Sequence, residues 1–193
     1  MSSSNYILII LSIWFLIAFS LGFTGRVSEI PFPFPQIILF TLVTAQLVLF
    51  NSLKGLKSWI YKINIKYLIA VHLSRFVGIY FLILYSQNLL PYDFAVKGGI
   101  GDIFVATTAL LILVFVSSKN QIRDKIYLIW NTVGILDILF VVFTAGRIGM
   151  DSPQSIENLL KLPLSLLPTF LVPIIIFTHI MIYVRLLKKN RMI

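Results

Sequence analysis

The chain has 193 residues, 59% of them hydrophobic and only 12% charged, with no cysteine and a formal net charge of +9. A soluble domain carries about a quarter charged residues, so this composition excludes a conventional water-facing surface and leaves lipid as the solvent. The missing cysteines exclude disulfides, thiolate metal sites, thiol nucleophiles and covalent haem attachment through CxxCH. The basic residues lie in loops between apolar stretches, which points to membrane topology and away from nucleic acid.

A helix needs about 20 apolar residues to cross a bilayer core. Such stretches fall near residues 5–24, 36–53, 66–86, 100–117, 126–144 and 164–184. The expected fold is therefore all-α: a six-helix transmembrane bundle forming one integral membrane domain over 1–193.

The first stretch carries a small-x-small pattern at Ala18 and Ser20. Its start, MSSSNY, lacks the Lys or Arg of a signal peptide and its apolar run is long, so it is read as a retained span. Cleavage would leave five spans with the later loops facing the same way. The segment PFPFP, Pro31 to Pro35, is expected to be stiff and extended, with Phe32 and Phe34 at the lipid interface. Gln46 is the one polar amide in the middle of the second span. Lys57, Trp59, Tyr61 and Lys62 then read as an interfacial anchor, the lysine stems lying on apolar surface and the aromatic rings at headgroup level.

The third span holds His72 and Arg75, spaced i, i+3 and so on one helix face, with Gly78 and Ile79 in line. Gly78 permits a close helix approach. The segment KGGIGD, Lys97 to Asp102, opens the fourth span on the outer side. Gly99 and Gly101 are expected in a tight turn, with Asp102 in the first helical turn, where a carboxylate suits the positive end. It lacks the phosphate-loop pattern. Asn131 and Asp137 lie in the fifth span. Ser152 before Pro153 marks a good helix start, either a short helix across the outer mouth or a plain connector. Pro168 and Pro173 lie within the sixth span, with Pro163 near its start. Each internal proline frees a backbone carbonyl near its preceding turn, so this helix is expected to kink, either beside a cavity or only for packing.

Lysine and arginine set the orientation. Eleven fall in the loops 54–66 and 118–125 and in the tail, including Lys119 and Arg191, against four in the opposite loops. Cytoplasmic loops take the excess, so both termini are expected inside, in a bacterial inner membrane.

At 1.5 Å of rise per residue, His179, Asn131, His72 and Gln46 lie roughly 8–10 Å from the cytoplasmic end, and Arg75 and Asp137 roughly 14–17 Å. Polar groups from four helices thus share one layer. A lone Arg or Asp at the helix centre costs about 3 kcal/mol to insert. Asp137 is the one acid placed at the depth of Arg75, and the two are expected to form an ion pair lined by Gln46, His72, Asn131 and His179. Two histidines at one depth on facing helices also raise an alternative, axial ligation of a single haem b by His72 and His179. Two nitrogens without a carboxylate or thiolate do not make a zinc site, and no metal is expected. No GxSxG or HExxH motif is present, so no enzymatic activity is expected.

From Arg75 onward the chain resembles a group of small bacterial multi-pass inner-membrane proteins whose activity is unassigned. The residues that carry the resemblance are Arg75 and Gly78, then Pro91, Phe94 and Ala95. They continue with Gly99, Gly101 and Asp102, with Trp130, Asn131, Gly134 and Asp137, and with Leu167 to Pro173 followed by His179. It spans about two-thirds of the chain. In that group the position matching His72 often reads as glutamine, which implies that haem ligation there is not a shared trait. The resemblance supplies no substrate.

The leading expectation is a protein that handles a small solute or a proton, as transporter or ligand-binding sensor. The partners expected are the lipid bilayer and an unknown small ligand or proton, with no cofactor. The alternatives are the haem b electron carrier and a non-catalytic scaffold or subunit. Oligomeric state is not legible, because lipid-facing and partner-facing apolar surfaces read alike.

Overall fold

The computed structural model describes residues 3–117 and 122–190; Lys119 and Arg191, both counted toward the inner face, lie outside them. The described residues are 85% helical and contain no strand. Six helical runs are long and apolar enough to cross a membrane: Asn5–Phe23, Phe34–Ser52, Ile65–Ser86, Asp93–Phe115, Arg123–Asp151 and Leu167–Lys188. This is compatible with a multi-pass membrane protein. Large apolar side chains such as Ile10, Leu16, Ile129, Leu136 and Phe143 stand exposed on these runs, a surface that only lipid or protein would cover.

The first helix, α1, is Ser3–Phe23, and α2 is Phe34–Ser52. Between them the PFPFP segment does not run extended. The Phe34 N–H donates to the Pro31 carbonyl at 3.0 Å, and α2 starts at Phe34 with Pro35 in its first turn. Proline lacks only an N–H that would be unbonded there in any case, so the segment turns and becomes helical sooner than its composition implies. A short amphipathic helix, α3 (Lys54–Lys62), follows.

The third run is not uniform. It begins as α4 (Ile65–Ala70), tightens to 3₁₀ geometry over Val71–Phe76 and returns to α5 (Val77–Ser86). The side chain of Asn64 caps α4 by accepting the Lys66 N–H at 3.0 Å. The fourth run starts with a π-helical turn, Asp93–Gly98, that leads directly into α6 (Gly99–Phe115). It thus begins earlier than residue 100, because the double glycine continues a helix instead of making a turn. The fifth helix, α7, is Arg123–Asp151, followed by a 3₁₀ helix, Pro153–Leu160, whose Ile156, Leu159 and Leu160 are buried. The last run opens with a π-helical turn, Leu167–Leu171, before α8 (Val172–Asn190).

The chain divides into two compact units. The first comprises Met1–Ile63 and Ala145–Phe177. In it the break that Pro173 makes in the last run has an identifiable partner. Pro173 cannot bond the carbonyl of Thr169, one turn before it, and the indole N–H of Trp14 donates to that carbonyl at 2.9 Å. The Trp14 ring also meets Phe170 edge-on, with centroids 5.1 Å apart. A helix break is tolerated in lipid only where neighbours satisfy the freed groups, and α1 supplies that neighbour.

The second unit comprises Asn64–Thr144 and Thr178–Ile193. The α4–α5 run packs on α6, with Gly78 against Gly99. A Cβ at Gly78 would collide with the Gly99 carbonyl, and one at Gly99 would come within 2.9 Å of the Gly78 carbonyl. This backbone-to-backbone approach brings the 3₁₀ stretch against Asp102.

Candidate functional site

The site lies wholly within the second unit. Its centre is Arg75, 1% exposed, which spends its guanidinium on three acceptors. Nε donates to Asp102 Oδ1 at 2.6 Å. Nη1 donates to the Gly134 carbonyl at 2.9 Å. Nη2 donates to Asp137 Oδ2. One arginine on the α4–α5 run therefore holds α6 and α7 together. The two carboxylates differ in access: the Asp102 side chain is 4% exposed and that of Asp137 is 17% exposed.

Asp102 has a different role from the one its sequence position suggests. It makes no N-terminal cap, and Gly99 and Gly101 form no turn: all three lie within continuous helix. The expectation that Asp137 is the one acid level with Arg75 fails for the same reason. Because helix begins at Asp93, Asp102 lies more than two turns into the span and reaches the guanidinium. Gly101 serves the other carboxylate. A Cβ there would fall on Asp137 Oδ1, so only glycine lets that carboxylate lie against α6.

The 3₁₀ geometry of Val71–Phe76 also sharpens the reading of His72 and Arg75. In a 3₁₀ helix, positions i and i+3 eclipse, so the two side chains stand one above the other. A mid-helix 3₁₀ stretch often marks a strained or hinged position. Both side chains are buried, His72 completely.

His179 on α8 is fully buried as well. Asn131 on α7 fixes it twice. The Asn131 amide donates to the His179 carbonyl at 3.1 Å. Its Oδ1 then accepts from His179 Nδ1–H at 2.8 Å. In the neutral ring this bond makes Nε2 the lone-pair nitrogen. The rings of His72 and His179 touch, with centroids 4.0 Å apart, and Trp130 meets His72 edge-on at 5.0 Å. Trp130 itself is tied to α6 by donating to the Val105 carbonyl at 3.3 Å. His72 Nε2 lies 3.3 Å from the Thr178 hydroxyl. His72 Nδ1 and His179 Nε2 are buried without a hydrogen-bond partner. Leaving such a group unsatisfied costs about 1–3 kcal/mol.

Gln46 is not drawn into this network. It belongs to the first unit and donates its amide to the Leu42 carbonyl of its own helix at 3.2 Å. Sequence reasoning notes Gly134 only within the resemblance and gives it no part in the site, yet its carbonyl takes Arg75 and its missing side chain makes room for the His179 ring. A Cβ at Gly134 would come within 3.0 Å of His179 Nε2. Its spacing from Asn131 and Asp137, three residues either way, was the available signal.

The chain matches a family model, the domain of unknown function DUF8737, over residues 32–187. The chain belongs to that family. Every residue of the site falls inside the DUF8737 match. No curated protein and no solved structure matches the chain.

The haem alternative does not fit this geometry. Axial imidazoles face each other across a porphyrin plane with ring centres roughly 6 Å apart, given metal–nitrogen bonds of about 2 Å and the ring radii. His72 and His179 are in ring-to-ring contact and leave no room for the plane. Among the described residues no group of three or more His, Asp or Glu is placed to hold a metal ion. What the arrangement can do is carry charge: one guanidinium and two carboxylates form a buried network in which the Asp137 side chain is the less buried member.

Proposed function

We propose that this is a multi-pass protein of a bacterial inner membrane, with both termini cytoplasmic, that handles protons or another small monovalent cation at Asp137. It acts as a transporter or as a sensor of that cation, and not as an enzyme. The single observation that carries the reading is the charge count at Arg75. Two carboxylates face one fixed cation, so the network has room for one further positive charge. Asp137 is the member with access, and a proton is the smallest cation that would neutralise it. The same count argues against an anionic solute, which would have to approach two carboxylates to reach the guanidinium. Arg75 would hold Asp137 in place, and Asp102 would keep Arg75 charged and oriented. The positive-inside count supports the orientation.

A second reading is a scaffold in which the triad only fixes helix register. Its support is that buried ion pairs often specify geometry without chemistry. Proton flux separates the two. Full-length protein is reconstituted in phosphatidylethanolamine–phosphatidylglycerol vesicles loaded with a pH-sensitive dye. The wild type should carry proton or monovalent-cation flux, or show cation-dependent spectral change if it is a sensor, and Asp137→Asn should lose it. A wild type with neither response, or an Asp137→Asn variant that keeps the response in full, would refute the proposal and leave the scaffold.

A further inference from the structure

The contact between His72 and His179 is not used by the ion triad. Both rings are fully buried, and each retains one nitrogen without a partner, Nδ1 of His72 and Nε2 of His179. Two neighbouring orphans in a tight interior are unlike the rest of this site, where each guanidinium nitrogen of Arg75 has a partner. The orientation of His179 is not accidental. Asn131 binds both its backbone carbonyl and its Nδ1–H, which turns the lone pair of Nε2 away from Asn131. Gly134 seats the ring itself, since a methyl group there would fall on it and press on Nε2.

From this geometry we infer that His72 and His179 together form a binding station for one small neutral hydrogen-bonding molecule, of the size of water or ammonia. A buried water is held where polar groups are left without partners and is anchored by two or more of them. The pair offers two such atoms on two facing helices. The charged group beside the station is Arg75 on the α4–α5 run, itself held by Asp102 on α6 and Asp137 on α7. The neutral neighbours are Trp130, Asn131 and Thr178. Water or ammonia, which can both donate and accept, satisfies both nitrogens in either tautomer of His72 without adding charge next to the guanidinium. The station is distinct from cation binding at Asp137, and the inference stands on the pair's own geometry whether or not that reading holds.

His72 and His179 are the only histidines in the chain, so histidine-selective ¹⁵N labelling reports this pair alone. The experiment is water-edited solid-state NMR on the full-length protein in phosphatidylethanolamine–phosphatidylglycerol vesicles. Tryptophan is labelled as well, so that Trp130 Nε1, bonded to a backbone carbonyl, serves as the buried control. His72 Nδ1 and His179 Nε2 should both receive magnetisation from water early, and Trp130 Nε1 should not. Ammonium chloride titration separates the two sources. A saturable shift of both nitrogens identifies ammonia as the occupant, and an unchanged spectrum identifies water. Gly134→Ala should abolish the transfer to His179 Nε2. Absence of transfer to both nitrogens, or transfer to one alone, in the wild type would overturn the inference. That result needs no variant to fold, and because it reads nitrogen atoms and not flux, it leaves the proton proposal untouched.

Discussion

Removing the two carboxylates one at a time should have unequal effects. Arg75 is essentially inaccessible, and the Asp102 side chain is 4% exposed against 17% for Asp137. Asp102→Ala strips Nε of its 2.6 Å acceptor and leaves a guanidinium edge facing packed helix. Breaking a buried pair by removing one partner costs about 3–5 kcal/mol. Asp137→Ala frees Nη2 at the less buried edge of the network, so the loss should approach that of one charged hydrogen bond, about 1.5–3 kcal/mol. A membrane-embedded reference state also finds partners for freed groups, so both values should fall toward their lower ends while their order is kept. Equilibrium unfolding by steric trapping in bicelles measures the difference. An Asp102→Ala variant as stable as wild type, or an Asp137→Ala variant that loses more than Asp102→Ala, would refute the view that Asp102 is the structural anchor and Asp137 the accessible arm.

Replacing the triad as a whole, Arg75→Met with Asp102→Leu and Asp137→Leu, should be neutral or stabilising by about 1–4 kcal/mol in the same trapping assay, while cation flux is lost. Gly78→Ala should destabilise by about 1–3 kcal/mol, because its methyl group meets the Gly99 backbone; a cross-link between cysteines introduced on α5 and α6 would form more slowly. Trp14→Phe keeps the ring against Phe170 but removes the donor to the Thr169 carbonyl. It should cost about 0.5–1.5 kcal/mol and speed amide exchange around Pro173. Gly101→Ala should displace the Asp137 carboxylate and lower flux without touching any charged residue.

The number of helices long and apolar enough to cross a membrane was legible because such runs stand out in the sequence. Arg75 and Asp137 stood out for the complementary reason, as ionisable residues isolated in such runs. Asp102 was misread because its role depends on where the fourth helix begins. The pair Gly98–Gly99 reads locally as a break, yet the π-helical turn from Asp93 runs straight through it. The PFPFP segment failed in the same way, since proline in a helix's first turn and proline in an extended segment share a composition. The 3₁₀ stretch at His72 and Arg75 has no local signature at all: neither glycine nor proline occurs between Val71 and Phe76. Its tight winding accompanies the close packing of this segment against α6. The contact between His72 and His179 was likewise out of reach, because depth along two helices says nothing about which way each side chain faces.

The most direct measurement is infrared titration of the carboxyl stretch in the full-length protein in lipid, comparing wild type with Asp137→Asn and Asp102→Asn. A protonated-carboxyl band that appears on acidification in wild type, survives in Asp102→Asn and vanishes in Asp137→Asn is the predicted result. A band that persists in Asp137→Asn would contradict the assignment of Asp137 as the group that takes up the proton.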